Sequence, residues 1–275
     1  MLAYTDFIIL FLLGSIGAFL SGFLGVGGGI VYIPILDYFL SKLGFNDDNL
    51  VKAILANSLF TIIFSGSVSS YKQYKLGNFY PREIFFTAIT GVLTAVLMTL
   101  LIKSGTWYSK SVFNYVFASM LLIIALRMFF VKVPAANASV IIKPLGFYIT
   151  GFFAGIVTAM SGLGGGVIMT PVFTDLLKLN IKKASAISNG VIPFFAIAVG
   201  ILNLNTPSTQ NVSEWQVGYV VFPVVIPMIL STFFLAPLGV MASQKANQKT
   251  IRLVFASFIS LVFVKTLFVI IQQFR

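Results

Sequence analysis

The sequence predicts an all-α polytopic membrane protein made of two inverted-topology repeats. Each repeat holds a helical hairpin broken at a glycine triplet, followed by three transmembrane helices. Three observations carry this: scarce charge, long uncharged runs, and a glycine–proline motif that occurs twice.

Charge comes first. Of 275 residues, 58% are hydrophobic and 9% are charged. Soluble domains carry about 25% charged residues. A chain this poor in charge cannot cover a water-facing surface, so lipid is its solvent. The uncharged runs agree: Phe7–Leu36, Ala53–Tyr71, Ile84–Ile102, Pro144–Thr174, Ala184–Ser213 and Trp215–Gln244. A spanning helix needs about 20 such residues.

The repeat is written in the glycines. Gly25-Val26-Gly27-Gly28-Gly29 followed by Pro34 matches Gly162-Leu163-Gly164-Gly165-Gly166 followed by Pro171, at an offset of 137. Gly14 and Gly151 keep that offset. Near the end of each half, Phe117-Ala118-Ser119 matches Phe255-Ala256-Ser257 at 138, which sets Arg127 on Lys265. Asn57 and Asn189 match at 132. Residues 1–136 form one repeat and 137–275 the other, within one transport domain.

Each half reads as five apolar segments. In the first they are 6–25, 28–41, 52–71, 83–103 and 111–131. In the second they are 144–162, 165–178, 184–203, 216–242 and 250–273. The stretch 203–216 is polar, lacks Lys and Arg, and contains Glu214, which puts it outside. Alternation then sets Lys72, Lys75, Arg82, Lys132, Lys143, Lys178, Lys182, Lys183, Lys245, Lys249 and Arg252 inside. Lys42, Lys52, Lys103, Lys110 and Arg275 fall outside. This cationic bias toward the cytoplasm predicts that both termini face outward. An odd number of crossings per half inverts the second relative to the first.

The second segment of each half is short. Eleven residues, Ile30–Leu40 or Val167–Leu177, span about 17 Å against a hydrocarbon core of about 30 Å. Each glycine cluster therefore falls within the membrane, at the tip of a hairpin that either spans or re-enters. Three consecutive glycines disfavour a continuous helix and free backbone N–H groups. The helix beginning after them aims its positive dipole end at the tip. Pro34 and Pro171 bend that helix. Two such tips, Gly27-Gly28-Gly29 and Gly164-Gly165-Gly166, make a candidate midplane anion site. Close helix packing is the competing explanation of the same glycines.

Polar residues within the spans are the next candidates. Asn57-Ser58 and Ser188-Asn189 either hydrogen-bond an oxyanion or join helices. Arg127 and Lys265 either balance a substrate's charge or snorkel to an interface. Asp37 and Asp175 follow the prolines and either couple a proton or sodium ion or end their helices in water.

Other chemistries are excluded by what is missing. There is no cysteine and no histidine, hence no disulfide, Cys/His metal site or thiol nucleophile. The motifs of intramembrane hydrolases are absent, so no enzyme and no cofactor is expected. The net charge of +11 lies between apolar runs, where it anchors loops and does not bind nucleic acid. Ile30 stands where a dinucleotide fingerprint needs its third glycine, and no P-loop Lys-Ser/Thr follows.

At both copies of GxGGGxxxxP, and at Asn57-Ser58 downstream, the chain resembles the TauE/SafE family, the sulfite exporter or toluene-sulfonate-uptake-permease-like transporters. The resemblance implies a secondary transporter in the bacterial plasma membrane for small anions such as sulfite and organosulfonates. It implies no ATPase subunit. It leaves the oligomeric state, the transport direction and the coupling ion open. A passive anion channel and a non-transporting scaffold remain the alternatives.

Overall fold

A computed structural model describes residues 2–105, 107–130 and 144–273. They form ten helices and one short β-hairpin. The helices of the first half are α1 (Tyr4–Leu24), α2 (Gly29–Leu43), α3 (Asp47–Lys75), α4 (Pro81–Ser104) and α5 (Lys110–Phe130). Those of the second are α6 (Pro144–Ser161), α7 (Gly166–Asp175), α8 (Ile181–Leu204), α9 (Phe222–Lys245) and α10 (Gln248–Gln273). Seven of them, all but α2, α5 and α7, are long and apolar enough to cross a membrane. The chain is a multi-pass, essentially all-helical membrane protein. The boundary between residues 136 and 137 lies outside the described residues.

Contacts between helix ends define two faces. On one, Lys42 at the end of α2 pairs with Asp6 at the start of α1, 2.8 Å apart. Asn49 at the start of α3 accepts hydrogen bonds from Thr209 and Tyr219, both 3.0 Å. Lys103 at the end of α4 donates to the Leu202 carbonyl near the end of α8, 2.8 Å. We call this the loop face, because segment 205–221 covers it.

On the opposite, lysine face, Lys183 pairs with Glu83 at 3.0 Å and lies over the Tyr80 ring. Those contacts join the starts of α8 and α4. Lys182 reaches the Gln244 carbonyl at the end of α9, 2.5 Å away. Gln244 in turn donates to Gln73 near the end of α3, at 3.4 Å.

Small residues bring the long helices together, as they do where lipid supplies no hydrophobic drive between helices. From the loop face, α1 runs alongside α9. A Cβ on Gly22 would lie 2.1 Å from the Ala236 carbonyl oxygen, and one on Gly239 2.0 Å from that of Phe19. From the lysine face, α6 runs alongside α4. A Cβ on Gly155 would lie 2.2 Å from the Gly91 oxygen. Thr90 and Thr94 donate to the Tyr148 and Phe152 carbonyls at 2.8 and 3.0 Å. Hairpin α1–α2 thus starts and returns at the loop face, tied by Asp6–Lys42. Hairpin α6–α7 starts at the lysine face and returns there, with Leu177 packed on Gly146.

Two boundaries differ from the sequence reading. Helix α3 runs well past residues 52–71 at both ends, because Lys52, Lys72 and Lys75 end the apolar run without ending the helix. The segment expected to be helical from 216 begins as a β-hairpin, Gln216–Val217 paired with Val220–Val221. Gly218 makes the turn at φ +57°, where an added Cβ would meet the carbonyl oxygens of Asn203, Leu204 and Thr206 at 2.5–2.8 Å. Asn57, buried in α3, holds the second strand. It donates to the Tyr219 carbonyl and accepts from Val221 N–H, both 2.8 Å.

The entry of the two hairpins from opposite faces is directly measurable, because the chain has no cysteine. Lys42→Cys and Lys178→Cys should each react with a membrane-impermeant maleimide, from opposite sides of a sealed vesicle. Labelling of both from one side would refute the arrangement.

Candidate functional site

The two glycine clusters fold alike. In the first, Gly25, Gly27 and Gly28 take φ values of +73°, +80° and +79°; in the second, Gly162, Gly164 and Gly165 take +69°, +75° and +75°. Left-handed backbone costs an ordinary L-residue roughly 1–2 kcal/mol per position, so the motif needs glycine for conformation alone. Gly28 and Gly165 then cap helices α2 and α7, whose first-turn N–H groups have no intrahelical acceptor.

Space divides the triplets by task. Gly28 and Gly165 lie against their own hairpins: a Cβ there would meet the Gly17 oxygen at 2.7 Å and the Thr158 hydroxyl at 2.7 Å. Gly29 and Gly166 touch the opposite tip. A Cβ on Gly29 would lie 2.8 Å from Leu163 Cα, and one on Gly166 2.7 Å from Val26 Cα. Gly27 and Gly164 both face the same two side chains, Ile62 and Ile192, at 3.1–3.4 Å. The tips are in mutual van der Waals contact, with an isoleucine pair beside them.

The irregular backbone is satisfied from the crossing helices α3 and α8. Ser58 donates to the Gly162 carbonyl at 2.8 Å, and Ser65 to that of Gly27 at 3.0 Å. Thr170 bonds both the Gly25 carbonyl, 3.3 Å, and the Ser188 hydroxyl, 3.1 Å. Leu55 packs on Gly162 as Ser185 packs on Gly25. The halves therefore correspond at offset 130 along α3 and α8, through Leu55/Ser185, Ser58/Ser188 and Ile62/Ile192. The pairing of Asn57 with Asn189 at 132 is out of register with these contacts.

On the loop face lies a pocket of about 200 Å³, one of whose lining residues, Leu55, packs on Gly162 of the second tip. Leu55, Leu59 and Ala159 floor it, and Thr99, Asn203, Tyr219, Lys52 and Lys103 line its walls. Two ammonium groups and no carboxylate border it. Lys103 is engaged with the end of α8, through Leu202 and Thr206. Lys52, half-buried, makes no hydrogen bond or ion pair among the described residues. A larger groove, about 760 Å³, lies between Phe7, Leu43 and residues 211–216. It is open and reaches neither tip.

The sequence that builds these two glycine tips has matches among known proteins. The family model described as sulfite exporter TauE/SafE matches residues 10–266. The chain belongs to the TauE/SafE family. A protein of Haemophilus influenzae named "Probable membrane transporter protein" is 26% identical over 264 residues, covering 94% of this chain and 97% of that protein. A protein of Methanocaldococcus jannaschii, likewise named a probable membrane transporter protein, is 25% identical over 253 residues, covering 90% and 91%. A third, from Bacillus subtilis, is 25% identical over 269 residues, covering 90% and 92%.

Within this TauE/SafE chain, the site residues expected from sequence separate. The six triplet glycines, Ser58 and Ser188 come together at the tips. Asn57 does not; its amide serves the β-hairpin and the Ala53 carbonyl. Asn189 is fully buried with neither amide atom bonded. Lys265 reaches the Pro34 carbonyl at 3.3 Å, beside Asp37 and away from the tips. The side chain of Arg127 lies outside the described residues. Sequence reading missed Lys52, Ile62, Ile192, Ser65 and Thr170. The available signal was the offset of 130, which aligns Ser58 with Ser188 and Ile62 with Ile192.

Asn57→Ala would strand the Tyr219 carbonyl and the Val221 N–H in a buried setting. Each stranded group costs about 1–3 kcal/mol, so the variant should melt several degrees lower in detergent. An unchanged melting temperature would show that the β-hairpin is held by other contacts. Gly28→Leu and Gly165→Leu should insert in the membrane but abolish transport; full flux through both in liposomes would remove the tips from the mechanism.

Proposed function

We propose that this TauE/SafE protein is a secondary transporter of small anions, of the sulfite or organosulfonate class. Its two repeats, 1–136 and 137–275, are inverted about an axis through the meeting point of the tips. Hairpins entering from opposite faces, and the reciprocal contacts of Gly29 and Gly166, support that inversion. The anion approaches from the loop face, reaches the second tip, and passes when the tips part. A proton or sodium gradient drives it.

The observation that carries the substrate class is Lys52. It is a half-buried cation without a hydrogen-bond or ion-pair partner among the described residues, in a pocket that lacks carboxylates and whose lining residue Leu55 packs on Gly162 of the second tip. A partly desolvated, unpaired ammonium group favours an anion as its partner. A pocket of about 200 Å³ is below the usual 300–1,000 Å³ of drug-sized ligands and suits a short oxyanion. A scaffold has no need of such a pocket. The grouping of Lys182, Lys183 and Lys245 on one face supports a plasma-membrane orientation with that face cytoplasmic and both termini outside.

The test is uptake of sulfite and sulfoacetate into proteoliposomes under imposed proton and sodium gradients. Lys52→Gln should raise KM at least tenfold, about 1.4 kcal/mol of binding, with little change in maximal rate, and Lys52→Arg should restore it. Ohmic, non-saturating currents would point to a channel, and absence of any anion flux would sink the transporter reading.

A further inference from the structure

On the lysine-face side of the first tip, several polar side chains are buried and lack partners. Ser21, Ser69, Gln73 and Asn189 are completely buried and Ser185 nearly so. The Ser21, Ser69 and Ser185 hydroxyls, the Gln73 Nε2 and both amide atoms of Asn189 have no hydrogen-bond partner. Native proteins leave only a few such groups per hundred residues, and each calls for an explanation. These five belong to α1, α3 and α8; the Tyr32 hydroxyl of α2, likewise unpartnered, belongs to a ring packed against Gly17 and Gly28.

Their positions follow from the tip outward. Gly25 N–H donates to the Ser21 carbonyl at 3.0 Å. A Cβ on Gly25 would lie 2.4 Å from the Ser185 hydroxyl. Asn189 is one helical turn along α8 from Ser185. On α3, Ser65 holds the Gly27 carbonyl, and Ser69 and Gln73 follow on the same helix face at successive turns. Gln73 reaches Gln244, whose carbonyl receives Lys182.

The repeat relates this cluster to the loop-face pocket. At offset 130, Lys52 matches Lys182, Leu55 matches Ser185, Leu59 matches Asn189, and Asn203 matches Gln73. Equivalent positions thus lie in both halves. In the first they line the loop-face pocket, with Leu55 and Leu59 among them. In the second they are buried and carry the Ser185 hydroxyl and the Asn189 amide.

We propose that Ser21, Ser69, Gln73, Ser185 and Asn189 form the lysine-face binding site for the sulfonate or sulfite group of the substrate. This rests on the transporter reading above. The chemistry suits three equivalent anionic oxygens. Hydroxyls and amide N–H groups donate, no carboxylate is among them, and Lys182 supplies the nearest charge. The site binds when the lysine face opens and the loop-face pocket closes.

The test again uses the absence of native cysteine. Ser185→Cys, Ser69→Cys and, in the loop-face pocket, Thr209→Cys are made singly in the full chain in proteoliposomes. Each is treated from either side with an impermeant methanethiosulfonate reagent, with and without the choline salt of sulfoacetate. The expected result is labelling of Ser185→Cys and Ser69→Cys from the lysine face, slowed at least tenfold by sulfoacetate. Labelling that sulfoacetate leaves unchanged marks a hydrated interior only and overturns the proposal. So does labelling confined to the loop face, or none.

If sulfoacetate protects Thr209→Cys but not Ser185→Cys, the chamber fails and the transporter reading stands. If it protects neither and the wild type moves no anion, the transporter reading fails and takes the chamber with it. As a second measure, Ser185→Leu with Asn189→Leu, which copies the apolar loop-face positions, should raise KM from the lysine face at least tenfold. Thr209→Cys labelling and its protection should be unaltered in that background. An unchanged lysine-face KM would also overturn the proposal.

Discussion

Backbone that leaves the helix inside a membrane must find its hydrogen bonds within the protein, since lipid offers none. The rest of this fold is arranged around that constraint at two points. Each glycine tip breaks a hairpin at membrane depth and exposes carbonyls and N–H groups. Ser58, Ser65 and Thr170 answer for Gly162, Gly27 and Gly25. Those side chains come from α3 and α7, and Ser188 of α8 bonds Thr170 in turn, so the crossing helices pass where the tips meet. The long α3, the central course of α8 and the burial of both follow from this one requirement. Native glycine at the contact positions lets the tips approach to a distance that any side chain would forbid.

The two halves solve the same problem unequally. The Gly162 carbonyl is held by a serine of the crossing helix, whereas the Gly25 carbonyl is held by Thr170, from the opposite hairpin's own helix. Position for position, Leu55 and Leu59 stand where the other half has Ser185 and Asn189. Two copies of one architecture thus present an apolar floor under lysines on one side and an uncharged polar floor on the other. Exact symmetry would give one site of equal affinity on both faces. The departures from symmetry are where direction and selectivity can be encoded.

Much of the fold was legible in the sequence because it depends on local composition. Uncharged runs marked the spans, and the duplicated GxGGGxxxxP marked both tips to the residue. The short helices after them were legible because so few apolar residues follow each triplet, Ile30–Leu40 and Val167–Leu177, although α2 runs on to Leu43 and α7 ends at Asp175. What could not be read depends on register between distant segments. Asn57 looked like a ligand by type and depth, yet its partners are Tyr219 and Val221, about 160 positions away. Charge ended α3 too early in the reading, because lysines at the ends of an apolar run stay helical once they reach water. The β-hairpin at 216–221 was hidden inside an apolar run, where Gly218 was the sole cue.

Ile62 and Ile192 sharpen what movement transport requires. Both lie beside Gly27 and Gly164, where the two tips meet. They sit on α3 and α8, while the tips belong to the hairpins. The hairpins are in turn fixed to other helices, α1 to α9 and α6 to α4, through glycine contacts too close to slide without strain. The soft interface is therefore between these two bundles and the α3–α8 pair, where tips meet isoleucine methyls and a handful of hydroxyls. Rocking there would part the tips and break the serine and threonine bonds to the tip carbonyls, while leaving the paired bundles intact. The few hydrogen bonds at that interface are what such a movement would have to exchange, whereas the glycine contacts within each bundle would persist.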